Sequence, residues 1–231
     1  MKIVILAYNG MTLLDAIAPY EVLSNLPEVE LLFVSKKRGE IKADTGFATL
    51  KTKYNFKDIT EADILIIPGA TIAFIDVIKD EKTLQWIKLI DATTKFTTSV
   101  GTGSIILAKT GLLDGKFATS HWKTIPLLKE DKAIFKADRV VKDDKFITCA
   151  GASAGIDMAF TLCDELVGED QTRAIQLVLE YDPKPLYHSG NIENCDEEVK
   201  KDANKIIKRN TNRQMGFLKK LSNRKVLNKI K

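Results

Sequence analysis

The chain has 231 residues, 45% of them hydrophobic and 29% charged, the composition of an ordinary soluble globular protein with one α/β domain or one domain plus an appendage. Its net charge of +4 conceals a split, because residues 199–231 carry +11 and the first 198 residues carry −7. Three cysteines in no CxxC pair and two histidines, His121 and His188, supply neither a zinc spacing nor a disulfide framework; a metalloenzyme is not expected, and no cofactor is implied.

The opening "MKIVILAYNG" is too short for a transmembrane span and reads as a buried first strand rather than a secretory signal core, so the cytoplasm is the expected location and no membrane partner is expected. "TLLDAIAPYEVLSNL" has the apolar spacing of a helix, with Pro19 in its opening turns. "VELLFVSK" reads as a partly alternating strand, and residues 41–52 as a short hairpin around Thr45-Gly46. "ADILIIPG" is a continuous apolar strand ending in turn residues, as in parallel sheets covered on both faces. "DEKTLQWIKLIDATT" predicts a helix whose acidic first turn complements its dipole. "FTTSV" is the next strand. A sharp turn at Val100-Gly101-Thr102-Gly103 follows, and then the helix "GSIILAKTG", ended by Gly111.

"AIFKADRVVKDDKFITCAG" reads as a hairpin turning at Asp143-Asp144, and "SAGIDMAFTLCDELVG" and "EDQTRAIQLVLEY" as two more helices. "YDPKPLY" is a stiff bridge into the basic tail. There Ile206, Ile207, Phe217, Leu218, Leu221, Val226, Leu227 and Ile230 interleave with Lys and Arg, which predicts an amphipathic helix or helix pair docked on the acidic domain or on a partner subunit. No groove-reading motif accompanies the charge, so nucleic acid is not the expected partner.

Alternating strands and helices imply a largely parallel sheet with helices on both faces, spanning residues 1–190, with residues 191–231 as a basic helical extension. Ligands of such sheets gather at the carboxyl ends of the strands. Three strand ends qualify: Tyr8-Asn9-Gly10 with the following Asp15, Pro68-Gly69-Ala70-Thr71, and Ser99-Val100-Gly101-Thr102-Gly103. The first strand is not followed by GxGxxG, and "GASAG" lacks the GxxxxGK[ST] of a phosphate loop, which argues against nucleotide chemistry.

In "LLDAIAPYEVLSNLP", "IIPGAT", "TSVGTGSIILAKTGLLDGKFATSHW", "AGASAGIDMAFTLCDEL" and "QLVLEYDPKPLYHSGN", the chain resembles the DJ-1/PfpI superfamily and, within it, the isonitrile hydratases. The resemblance spans nearly the whole chain and implies a flavodoxin-like α/β sandwich, usually dimeric, related to class I glutamine amidotransferases. In those hydratases a cysteine at the elbow, in the pattern Val-Cys-Thr-Gly, attacks the isonitrile carbon, and water releases an N-substituted formamide from the thioimidate. An acid from the first helix hydrogen-bonds the thiol. By position the acid is Asp15, the neighbouring threonine is Thr102, and the nucleophile position holds Gly101. N–H groups near Gly69-Ala70 and at Thr102 would then stabilise developing negative charge.

Ala70 stands where many relatives have a second glycine, and Gly101 cannot form the carbon–sulfur bond. Glycine at an elbow also removes about 1–3 kcal/mol of the strain a side chain would carry there. The resemblance therefore implies a pocket for a small isonitrile-like ligand that lacks its nucleophile; the alternative is a non-catalytic ligand-binding or regulatory module. Related domains are fused to helix-turn-helix pairs, for which the roughly 35 residues after this domain are too few.

His121 in "TSHW" resembles a histidine that other branches place near the cysteine, and it also reads as structural beside Trp122. Taken alone, Asp15 reads as an acid satisfying donors at a helix start. Capping and packing account for Asp157, and packing for Trp86 and Trp122. Cys149 ends a strand, Cys163 is mid-helix and Cys195 begins the tail, so none easily replaces the missing thiol.

Overall fold

Apolar runs without a polar face are buried only when both sides of a sheet are covered, and the computed structural model, which describes residues 1–221, arranges them in that way. In chain order the elements are β1 (Lys2–Ala7), α1 (Leu13–Leu23), β2 (Glu30–Ser35), β3 (Gly39–Lys42), β4 (Thr49–Thr52), β5 (Tyr54–Asn55), β6 (Ile64–Ile67), α2 (Phe74–Val77), α3 (Glu81–Asp91) and β7 (Phe96–Val100). There follow α4 (Gly103–Lys109), β8 (Phe117–Ala118), a 3₁₀ turn (Trp122–Thr124), α5 (Ile125–Glu130), β9 (Ile134–Phe135), β10 (Val140–Asp143), β11 (Phe146–Cys149), α6 (Ala154–Val178) and α7 (Glu197–Leu221).

The main sheet runs β10-β11-β7-β6-β1-β2-β5, parallel except where β10 returns against β11. The chain steps outward from β1 to β2 and then crosses back to β6, so connections leave in opposite directions between β1 and β6. That is the flavodoxin-like order, and its switch point, where ligands of such sheets gather, falls at the carboxyl ends of those two strands.

Period-two alternation sorts the side chains. Val4, Leu6, Leu65 and Ile67 pack with Ile87 and Ile90 of α3 and Ile105–Ala108 of α4, whereas Ile3, Ile5, Ile64 and Ile66 pack with Ala16 and Val22 of α1 and Met158 and Leu162 of α6. The result is the three-layered α/β sandwich expected from the sequence.

Several local expectations are corrected. Pro19 is the seventh residue of α1 rather than part of its opening turns, and it removes the N–H that would have bonded the Asp15 carbonyl. Ile134–Phe135 does not belong to the β10–β11 hairpin but pairs with Phe117–Ala118 in a separate two-stranded sheet. The two expected helices after residue 153 run on as α6, broken at Gly168, where φ 78° and ψ 173° leave helical space and suit only glycine. The short α2 and α5 carry too few turns to show a helical period. The helical reading of Val226, Leu227 and Ile230 lies outside the described residues, as do the side chains of Phe217, Leu218 and Leu221.

The elbow after β7 sits hard against the end of β6. A Cβ on Gly103 would lie 2.1 Å from the Ile67 carbonyl oxygen, and one on Gly69 would lie 2.8 Å from both the Thr102 nitrogen and the Val100 carbonyl oxygen. None of these backbone groups can yield, so both positions need glycine for space. Gly103→Ala is expected to destabilise the fold by about 3 kcal/mol, read from the urea midpoint of unfolding.

Candidate functional site

The carboxyl ends of β1, β6 and β7 bring together five of the sequence-predicted positions, Asp15, Gly69, Ala70, Gly101 and Thr102. Asp15, the third residue of α1, is only 4% exposed, and its Oδ2 accepts the Gly69 N–H at 3.0 Å. A second strut runs from the Thr12 N–H to the Gly69 carbonyl at 2.9 Å. Asp15 Oδ1 is buried with no hydrogen-bond partner among the described residues. Burial raises the Asp15 carboxyl to about 7; the Gly69 N–H opposes that rise, and the nearby Asp44 adds to it. At neutral pH such a group both gives and takes a proton.

Gly101 faces this carboxyl. Its φ of 54° is left-handed, and a Cβ built on it would stand 3.6 Å from Asp15 Oδ2 and 3.8 Å from the Ala150 carbonyl oxygen. The backbone there is held without help from any side chain at 101. Gly101 N–H donates to the Cys149 carbonyl, and its own carbonyl accepts from Ser104 N–H and Oγ and from Ser120 Oγ. Ser104 and Ser120 are supports that the sequence reading missed, since a buried serine in an apolar helix or loop carries no pattern of its own.

Thr102 is buried, and its hydroxyl both accepts the Ala70 N–H at 2.8 Å and donates to the Ala70 carbonyl at 2.9 Å. This differs from the expected oxyanion arrangement. Gly69 N–H is given to Asp15 and Ala70 N–H to Thr102, whereas Thr102 N–H makes no hydrogen bond among the described residues. Of the three, Thr102 N–H is the donor left for a ligand.

His121 stands apart from this group. Its Nδ1 accepts the Lys123 N–H at 3.3 Å, its ring tilts on Trp122 at 5.6 Å, and burial and then the Lys123 charge lower its pKa. It reaches the elbow only through its neighbour Ser120. Cys149 ends β11 beside Val100, but its thiol is fully buried, and burial followed by the Asp15 charge pushes its pKa far up, so it is inert as a nucleophile. Cys163 is buried in α6 and raised by the same cause; Cys195 is half-buried in the tail. Asp157 is bridged by Arg139 and the Tyr181 hydroxyl, a structural role. Among the described residues no group of three or more His, Cys, Asp or Glu is placed to hold a metal ion, and no helix is long and apolar enough to cross a membrane.

One contact comes from outside the predicted set. Gln214 of α7, an uncharged residue in the basic tail with nothing in its pattern to mark it, bonds to both Gly10 and Ile72 at the rim of the site.

The family model described as "DJ-1/PfpI family" matches residues 1–165. The chain is 38% identical over 205 residues to the isonitrile hydratase of Pseudomonas putida, covering 89% of each sequence. It is 33% identical over 87 residues to the HTH-type transcriptional regulator CdhR of Pseudomonas aeruginosa, a match that covers 37% of this chain and 26% of the regulator. Among solved structures, a ThiJ/PfpI family protein from Pseudomonas syringae superposes with a TM-score of 0.86 at 30% identity, covering 92% of this chain and 88% of that one.

The buried carboxyl ties stability to pH. The folded state keeps a proton on Asp15 through a range where the unfolded chain has lost it, so this group's contribution is most favourable below about pH 4 and is lost as pH rises through about 7. Between pH 5 and pH 8 the parent is expected to lose about 2–3 kcal/mol more stability than Asp15→Asn, measured by urea unfolding at both pH values.

Proposed function

Because the chain belongs to the DJ-1/PfpI family, we propose that the crevice between β1, β6 and β7 is a pocket of isonitrile-hydratase type that binds small isonitrile-like ligands and, with Gly101 at the nucleophile position, does not turn them over. The observation that carries this reading is the direction of residue 101. A Cβ there points to within 3.6 Å of the Asp15 carboxyl, so a cysteine side chain at 101 would hold its sulfur against a carboxyl that titrates near neutrality.

The chemistry then divides among the residues as follows. With a cysteine at 101, Asp15 takes the thiol proton as the sulfur bonds to the isonitrile carbon, and it passes that proton to the same carbon to complete the thioimidate. Water adds to the same carbon, the carbon–sulfur bond breaks, and the N-substituted formamide leaves with the proton returned to the thiol–carboxyl pair. The Thr102 N–H, which makes no hydrogen bond among the described residues, is in this reading the donor to the reacting end of the ligand. As written, the chain keeps the acid, the donor and the elbow and lacks only the atom that makes the covalent bond.

The second reading, a ligand-binding or regulatory module, draws on the similarity to the CdhR regulator over a third of this chain. In both readings the pocket lies in the α/β domain of residues 1–190 and residues 191–231 form a separate basic extension. We further propose that the protein is a cytoplasmic homodimer.

The test compares hydration of an aryl isonitrile by the chain as written, by Gly101→Cys and by Gly101→Cys combined with Asp15→Asn. Turnover is expected in Gly101→Cys alone, and the added Asp15→Asn should lower it by roughly 10²–10⁴-fold. Turnover by the chain as written would replace the thiol with a water mechanism through Asp15. Silence in a folded Gly101→Cys protein that still binds the isonitrile would favour the binding-module reading.

A further inference from the structure

The basic helix α7 is mostly solvent-exposed along its described length; Ile206, for instance, is 49% exposed on it. Gln214 breaks that pattern. It is 1% exposed, and both ends of its amide are engaged: Oε1 accepts the Ile72 N–H at 2.6 Å, and Nε2 donates to the Gly10 carbonyl at 2.8 Å. Burying an amide is unfavourable unless its hydrogen bonds are replaced, so a fully buried glutamine on an otherwise wet helix marks a contact chosen for geometry rather than for apolar area.

The two backbone groups it joins belong to the loops that carry the pocket. Gly10 lies in the turn between β1 and α1, five residues before Asp15. Ile72 lies in the loop after β6, three residues beyond Gly69 and two beyond Ala70. These loops flank the crevice where the sheet connections diverge, and within the α/β domain they are joined by the Thr12–Gly69 and Asp15–Gly69 hydrogen bonds. The Tyr8 hydroxyl, which donates to the Pro68 carbonyl at 2.8 Å, ties them a third time, and Gln214 supplies a fourth tie from across the chain, 204 residues from Gly10 and 142 from Ile72.

We propose that Gln214 is a positioning residue of the pocket, its side-chain amide locking the β1–α1 loop to the loop after β6 so that Asp15 stays against Gly69 and away from water. This deepens the pocket reading above and rests on it for the importance of Asp15. Met, which has nearly the shape of Gln but neither hydrogen-bonding group, separates the lock from simple packing.

The test follows the Gly69 amide resonance of the full chain against pH, since that N–H reports the ionisation of Asp15 directly. The groups facing Asp15 are Tyr8, Asp44 and Cys149, and none of them is altered by the variants. The parent midpoint is expected near 7, and Gln214→Met should lower it by about one unit as water reaches the carboxyl. Arg213→Ala, one residue away and exposed, should leave it in place. In a Gly101→Cys background, Gln214→Met should also speed iodoacetamide labelling of residue 101 roughly fivefold, through more frequent opening of the loops. A midpoint or labelling rate unmoved by Gln214→Met, or moved equally by Arg213→Ala, overturns the proposal. Neither readout uses an isonitrile, so the result stands whether or not the hydratase reading survives.

Discussion

The close approach of the elbow to the end of β6 is the constraint on which the site depends. Because Gly103 lets the first turn of α4 press against the Ile67 carbonyl, Thr102 comes within reach of Ala70 and engages both its N–H and its C=O. The same contact brings residue 101 over Asp15. Every hydrogen bond that fixes this geometry runs through backbone groups or through Asp15, Thr102, Ser104 and Ser120. The shape of the elbow is thus independent of what residue 101 carries, which explains how the scaffold accommodates a glycine at its apex.

Two carboxylates near helix starts illustrate how environment separates a reactive group from a structural one. Asp157 in the first turn of α6 has a guanidinium and a phenol for partners, which satisfy both of its oxygens. Asp15 in the first turn of α1 has one backbone N–H for one oxygen and nothing among the described residues for the other. Burial without a counter-charge disfavours its ionised form, and an orphaned buried oxygen is a standing demand for a hydrogen-bonding atom. The carboxyl oxygen nearest a Cβ at 101 is Oδ2, which already accepts the Gly69 N–H, so a thiol there would share the satisfied oxygen while Oδ1 keeps its demand.

The strand ends that meet at the crevice were legible in the sequence, because continuous apolar runs closed by turn residues report doubly covered strands and so fix the layering. Asp15, Gly101 and Thr102 were legible as a set only through the resemblance, since composition alone left three strand ends without a reaction. What escaped was long-range or pattern-free. The spending of the Gly69 and Ala70 donors depends on how two loops pack, not on their own residues. The pairing of Ile134–Phe135 with Phe117–Ala118 is a tertiary choice between equally apolar partners. Gln214 carries no periodic or motif signal at all, because its burial is decided by loops more than 140 residues away.

The two ends of the main sheet bear on how copies of this fold meet one another. At one end β5 offers only Tyr54–Asn55, too short to template another strand; at the other, β10 ends in Lys142 and Asp143 and turns at once into β11. Short, charged edges resist strand-by-strand growth of a sheet into aggregates. Chains with this architecture are accordingly steered toward contacts made by side chains on their helical layers, which can close into a finite assembly, and away from backbone pairing, which has no natural stopping point.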